Sequence, residues 1–165
     1  DMHNEKLRAV FEGLGYKNVQ TVISSGNVIF ETRLENVNEL ESTIEKALQE
    51  KLNFKRTTIV FSKEDTHSFI SEDPFKNQED GPQCKLNVTF LKNTPDTEIK
   101  LPYHGKNKVF TVLGVHGRVI TSMVDLSKGR TPELMRWMDN EFGNELTTRT
   151  WKTVQKIMKR FDNSK

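Results

Sequence analysis

The chain has 165 residues, of which 34% are hydrophobic, and its 25 Lys and Arg against 23 Asp and Glu give a formal net charge of +2. This length suffices for one domain or two small halves, and the single Cys84 excludes an intramolecular disulfide. No apolar run approaches the ~20 residues that span a bilayer and no signal-peptide pattern opens the chain, so we expect a cytoplasmic protein without membrane partners.

The first half of the chain predicts the order helix, strand, strand, helix, strand. Apolar residues at helical spacing before Gly15 predict a short opening helix. Strands follow over residues 19–24 and 27–31. Over residues 37–52 the apolar positions keep helical period for four turns, and the glutamates between them are expected to face water. Residues 55–61, rich in Thr, Ile and Val, predict a third strand.

The second half predicts a hairpin between strands and two closing helices. A helix that starts near Ser62 must stop before Pro74, and strands are predicted over residues 85–91, 108–113 and 118–124. The last two strands flank a Gly-Val-His-Gly turn. Thr131 as N-cap and the proline after it begin one helix. The final helix has Trp151 on its apolar, core-facing side.

The order of elements in the first half is that of a ferredoxin-like βαββαβ unit without its opening strand. In that topology the opening strand lies in the middle of the sheet, and each buried backbone group left unpaired costs about 1–3 kcal/mol. Either residues before Asp1 supply this strand or another segment fills its place. The sequence thus predicts an α+β fold. It has a ferredoxin-like half over residues 1–72, a hinge loop over 73–84 and a second α+β half over 85–165 that ends in two helices.

Three stretches together resemble a bacterial family known as domain-of-unknown-function family 1697. They are LRAVFEGLGYKNVQTVISSGNVIFE at residues 7–31, VTFL at 88–91 and TTRTWKTVQKI at 147–157. The family tends to have Asn where Thr150 and Lys152 stand. Its members usually begin with an apolar strand and an Arg-Gly-Ile-Asn-Val-Gly-Gly-like turn, which this sequence does not show before its first helix. The resemblance implies an α+β fold of ferredoxin-like character and no particular activity.

The stretch Ser24-Ser25-Gly26-Asn27 joins the two predicted strands of the first hairpin. Glycine adopts positive φ readily and asparagine tolerates it, so these residues suit a tight turn. Successive backbone N–H groups of such a turn, with two hydroxyls beside them, can also form an anion-binding nest. Both interpretations stay open.

Arg149 follows two threonines just before the last helix. A threonine hydroxyl at the N-cap explains these threonines. A cation is disfavoured at a helix N-terminus unless a negative group is near. The guanidinium is therefore expected either to pair with a carboxylate or to bind an anionic ligand.

The stretch Ser127-Lys128-Gly129-Arg130-Thr131 places two cations at the start of a predicted helix, whose first N–H groups also attract anions. The glycine spacing and the Lys-Ser/Thr pair of a Walker loop are absent, so P-loop nucleotide hydrolysis is not supported. Lys128 and Arg130 are anion-binding candidates, and a solvated loop is the alternative.

Neither a metal nor another cofactor is expected from the sequence. The four histidines, His3, His67, His104 and His116, lack metal-ligand spacing with one another or with Cys84. No Cys-His nucleophile signature accompanies this cysteine. The acidic residues of the hinge loop lack an EF-hand pattern, so calcium is not expected either.

Charge is distributed unevenly along the chain. Residues 31–50 have six glutamates against two cations, whereas residues 146–165 have six cations against one aspartate. This asymmetry can steer an anionic partner toward the C-terminal helix, and a solvated helix face is the alternative.

The sequence predicts a non-catalytic binder of an anionic partner, either a phosphorylated metabolite or a nucleic acid. The nucleic-acid version is the weaker one, because only Phe30 and Phe61 are candidates for base stacking and the Lys/Arg-Gly-Phe signature is missing. The alternative function is an enzyme acting on a phosphorylated or carboxylated small molecule. In it Lys128, Arg130 and Arg149 would stabilise charge.

Overall fold

The computed structural model describes residues 2–23, 26–34 and 36–163. Over these ranges the fold is mixed α/β, with five α-helices and two antiparallel sheets. The chain divides into two compact units. The first is formed by Asp1–Ser62 with Gln155–Lys165, and the second by Lys63–Val154.

The first unit is a two-stranded sheet packed against two helices. Its elements are α1 (Met2–Gly13), β1 (Lys17–Val22), β2 (Asn27–Glu31) and α2 (Val37–Leu52). The strands pair antiparallel, with Val22 opposite Asn27. Its core is formed by Leu7, Val10, Phe11, Tyr16, Val19, Leu40, Ile44, Ala47 and Leu48. The predicted helical period of α2 is therefore confirmed by the residues it buries.

The caps of α2 follow from its sequence. The Asn36 side chain accepts a hydrogen bond from the backbone N–H of Glu39 at 3.0 Å, which satisfies one of the unpaired N–H groups of the first turn. Asn53 ends the helix in the left-handed conformation with φ 55°, a role that asparagine fills more readily than most residues.

The prediction of a third strand over residues 55–61 is wrong, because this segment belongs to neither sheet. Its backbone is held instead by carboxylates of α2. Glu41 Oε2 accepts the Val60 N–H at 2.8 Å, and Glu45 Oε2 accepts the Thr58 N–H at 3.1 Å. The ferredoxin-like arrangement needs this segment in the sheet, so that part of the prediction is not confirmed.

Glu41 also corrects the expectation that the glutamates of α2 face water, because its exposed fraction is 0%. A buried carboxylate is costly unless hydrogen bonds satisfy it. The bond to Val60 supplies one of these, and it joins the helix to a segment nineteen residues further along the chain.

We predict that Glu41→Ala lowers the free energy of unfolding by about 2–3 kcal/mol, because the Val60 N–H loses a charged acceptor. Glu41→Gln keeps an acceptor oxygen and should lower it less. Glu50→Ala, at an exposed position of the same helix, is the control and should change it by less than about 0.5 kcal/mol. Urea denaturation measures all three, and equal losses for Glu41→Ala and Glu50→Ala would contradict the role assigned to Glu41.

The second unit is built on a five-stranded antiparallel sheet in the order β4-β5-β6-β3-β7. Its elements are α3 (Lys63–Ser71), β3 (Cys84–Leu91), β4 (Tyr103–His104), β5 (Phe110–His116), β6 (Val119–Asp125), α4 (Thr131–Phe142) and β7 (Leu146–Thr150). α5 (Trp151–Asn163) starts here, and its residues from Gln155 onward belong to the first unit. The predicted hairpin is confirmed, but Gly114, Val115 and His116 of its predicted turn belong to β5, and the turn lies at Gly117, φ 63°.

The strand register divides the side chains of the sheet between two faces. On one face Ile120 and Val124 pack with Leu134 and Met138 of α4. The exposed fraction of each of these four residues is 0%. The opposite face includes His116, whose ring contacts Phe69 of α3 with 5.5 Å between centroids. The sheet therefore lies between α4 and α3.

The start of each of the last two helices differs in part from prediction. The N-cap of α4 is Arg130, which makes no side-chain cap hydrogen bond, so Thr131 is the first helical residue. At α5 the capping hydroxyl is that of Thr150, whose Oγ1 accepts the Thr153 N–H at 3.3 Å, and not that of Thr147 or Thr148, which lie in β7. Trp151 is half-buried rather than fully buried, and its ring packs on Phe75 with 5.0 Å between centroids.

Candidate functional site

The first hairpin has the geometry of a tight turn in its described part. Gly26 has φ 79°, and the Asn27 side chain donates to the Val22 carbonyl at 3.1 Å across the end of the strand pair. Ser24 and Ser25 lie outside the described residues. These contacts explain why glycine and asparagine stand here, and the anion nest stays a prediction.

Arg149 lies in the edge strand β7, where it pairs with Val88 of β3. Its Nη1 donates to Thr147 Oγ1 at 2.6 Å and to the Thr148 carbonyl at 3.1 Å. The side chain is half-buried, and burial lowers the pKa of its guanidinium. Arginine keeps its proton at physiological pH even so, so a positive charge is held in a defined orientation beside β7.

The loop between β6 and α4 contains the other two predicted cations. Ser127 donates to Asp125 from its hydroxyl and its backbone N–H, which lowers the pKa of this carboxyl and keeps it ionised. Lys128 Nζ lies 4.0 Å from the same carboxylate. Arg130 donates to the carbonyls of Leu126 and Gly129, at 3.1 and 3.3 Å. Both cations are exposed.

A second loop with two lysines lies directly against this one. The Asp125 N–H donates to the Val109 carbonyl at 2.7 Å. A Cβ at Gly129 would lie only 2.5 Å from Val109 Cγ1, so only a glycine allows this close approach. Lys106 and Lys108, which precede Val109, are exposed, and neither forms an ion pair with a described residue.

We call the four side chains Lys106, Lys108, Lys128 and Arg130 the basic loop pair. Two of them, Lys128 and Arg130, directly precede α4, where the helix dipole disfavours a cation by about 0.3–1 kcal/mol. Asp125 and Glu133 are the acidic residues next to Lys128 and Gly129. Two cations therefore stand where they lower the stability of α4. This placement favours a role of the basic loop pair in binding an anion over a role in folding.

Lys106 and Lys108 were missed in the sequence, where only their Lys-Asn-Lys spacing before an apolar strand marks them. The positive φ of Asn107 and Lys108, 57° and 56°, shows that this is a tight turn. This turn meets the loop of Lys128 because Val109 contacts Gly129. These two residues are twenty positions apart in the chain.

The structure does not bring all candidates together. Along β3, Arg149 is level with Val88, whereas Asp125 is level with Cys84 four residues earlier. This difference is about 13 Å along the strand, so Arg149 is separate from the basic loop pair. Gly26 and Asn27 belong to the first unit and the other described candidates to the second.

Three groups that could serve as an acid or base are near these loops, namely Asp125, Glu133 and His104, and others lie elsewhere in the second unit. His116 Nδ1 is 2.8 Å from Glu72 Oε2, but His116 pairs with Val119, six residues and about 20 Å along β6 from Asp125. Burial, followed by the charges of Asp80 and Asp125, raises the pKa of the Cys84 thiol and disfavours the nucleophilic thiolate.

A shallow groove of about 270 Å³ lies at the C-terminal end of α4. Its charged lining is acidic, with Asp96, Glu141 and Glu145. It is therefore unsuited to an anionic substrate.

Two further properties can be stated for the described residues. They contain no group of three or more His, Cys, Asp or Glu side chains placed to hold a metal ion. Among them, each helix is too short or too polar to cross a bilayer.

We predict that Gly129→Ala lowers the free energy of unfolding by about 1–3 kcal/mol, because the new methyl group overlaps the buried Val109 side chain. In the double variant Gly129→Ala/Val109→Ala the overlap is removed. The double variant should therefore lose less free energy of unfolding than the two single variants lose together, by at least about 0.5 kcal/mol. Strictly additive losses in urea denaturation would mean that the two loops are not in contact.

Comparison with known proteins gives a family and no activity. A family model described as "Protein of unknown function (DUF1697)" matches residues 1–120. No curated protein and no solved structure matches the chain.

Proposed function

The chain belongs to the DUF1697 family, whose description gives no activity, and we propose that it binds a phosphorylated small molecule at the basic loop pair without catalysing a reaction. The observation that carries this proposal is the contact between Val109 and Gly129. It joins two loops so that four exposed cations from separate parts of the chain lie at one end of the sheet.

The chemistry of the four side chains fits a phosphate group better than a carboxylate alone. The ammonium groups of Lys106 and Lys108 are mobile point charges, whereas Arg130 has a planar group that can donate two parallel hydrogen bonds. The first N–H groups of α4 add a favourable dipole at the same end of the unit. Several donors of this kind suit an anion with three oxygens.

Binding without catalysis is supported by the state of the carboxyl group beside Lys128, because hydrogen bonds from Ser127 lower the pKa of Asp125 and make it a weak base. A general acid or base must come within hydrogen-bond reach of the reacting group. His116, which contacts Glu72, pairs with a residue of β6 that lies about 20 Å along the strand from Asp125. The alternative, an enzyme acting on a phosphorylated or carboxylated small molecule, has no specific observation in its favour.

We predict that inorganic phosphate raises the melting temperature of the wild-type protein. At a concentration ten times the dissociation constant, mass action adds about 1.4 kcal/mol, or roughly 3–6 °C for a chain of this size. The variant Lys106→Gln/Lys108→Gln/Lys128→Gln/Arg130→Gln should lose this shift, because the positive charge at the site is removed.

Two comparisons make the thermal measurement specific. Lys6→Gln/Lys46→Gln/Lys51→Gln/Lys55→Gln removes four exposed charges from the first unit and should keep the shift. Arg149→Gln and Gly26→Ala test the two other predicted sites. If the rise in melting temperature with phosphate is lost in either of these variants and kept in the loop variant, the anion site is not at the basic loop pair.

A further inference from the structure

The exposed side of α5 has a row of cations. Lys152, Lys156 and Lys159 are all exposed, and at 3.6 residues per turn they lie within about 60° of one another around the helix axis. Arg160 is exposed at the edge of this row. The opposite side of the helix is apolar, with Val154 and Met158 exposed by 2% and 6%. We call Lys152, Lys156, Lys159 and Arg160 the lysine face of α5.

This face is not neutralised within the described part of the chain. None of its four cations forms an ion pair with a described residue. Lys152, Lys156 and Arg160 follow one another at four-residue spacing, and each such like-charged pair lowers helix stability by about 0.2–0.5 kcal/mol. Lys152 is also in the first turn, which has no acidic residue. Folding alone gives no reason for this arrangement.

We propose that the lysine face of α5 binds the sugar-phosphate backbone of a nucleic acid without reading its base sequence. Cations that form no ion pair bind phosphates by releasing condensed counterions, and this interaction is independent of sequence. The lysine face has no aromatic side chain on which a base could stack. It therefore lacks the groups that read single-stranded bases.

Charge density favours a nucleic acid over an acidic protein. The first and last of the three lysines, Lys152 and Lys159, are seven residues apart in the chain, or about 10.5 Å along the helix axis. Each strand of a nucleic-acid duplex has a phosphate about every 3.4 Å along the duplex axis and so places about three phosphates along this length. An extended acidic peptide places side chains on one face about every 6.7 Å, which gives no more than two carboxylates.

A membrane surface is disfavoured by the apolar side of α5. A helix that binds in the membrane interface buries its apolar face among lipids. In α5 this face is already buried in the protein, as the exposures of Val154 and Met158 show.

The test is fluorescence anisotropy of a labelled 20-base-pair duplex of mixed sequence, titrated with protein from 50 to 200 mM salt. Four phosphate contacts predict a slope of log K against log salt of about −3.6. Lys152→Gln/Lys156→Gln/Lys159→Gln should weaken binding at least tenfold at 50 mM salt and reduce the slope to about −0.9. A second duplex of unrelated sequence should bind the wild type equally.

The matched control removes the same charge elsewhere. Lys6→Gln/Lys46→Gln/Lys55→Gln changes three exposed lysines of the first unit and should leave the slope unchanged. Circular dichroism confirms that both triple variants are folded. Equal losses in the two variants, or no binding by the wild type at 50 mM salt, would overturn the proposal.

Two further comparisons separate this proposal from its alternatives. If poly-glutamate of equal charge displaces the labelled duplex as well as an unlabelled duplex does, the partner is an acidic protein and the proposal is wrong. The basic-loop-pair variant should keep at least most of its duplex binding. If that variant alone loses duplex binding, the nucleic acid binds at the loops, and the lysine face has no such role.

Discussion

The pairing of β3 with β6 on one side and with β7 on the other determines where every candidate residue of the second unit lies. This register places Arg149 level with Val88 and Asp125 level with Cys84. The loop that follows Asp125 is thereby held at one end of the sheet. Since β5 pairs with β6 as well, the loop that precedes Val109 arrives at the same end. The basic loop pair thus follows from strand register together with one glycine.

The first unit depends on a different interaction, in which carboxylates of a helix bind backbone N–H groups of an extended segment. Glu41 is fully buried, and its oxygen takes the place that a strand carbonyl would have beside Val60. A carboxylate makes a stronger hydrogen bond than a neutral carbonyl, which offsets part of the cost of its burial. This arrangement explains how residues 55–61 stay extended without joining a sheet.

Charge placement is the common feature of both proposed binding surfaces. Cations lie at the N-terminus of α4, and like charges follow one another along α5, although each arrangement lowers the stability of its helix. Acidic residues line the groove at the other end of α4, so the charges of this unit add to the helix dipole. The resulting electric field attracts anions to the N-terminal end of α4 and repels them from its C-terminal end.

The sequence by itself determined the local features of this protein. The helical period of α2, the turn at Gly26 and Asn27, the hairpin before Arg118, the loop cations Lys128 and Arg130 and the family were all predictable, because each depends on residues that are near in the chain or on a motif. The tertiary structure decided the burial of Glu41, the strand conformation around Arg149 and the meeting of Lys106 and Lys108 with the α4 loop. In each of these, a contact between distant segments outweighs local preference: periodicity shows which face of an element is apolar, but it does not show which polar group another segment will cover.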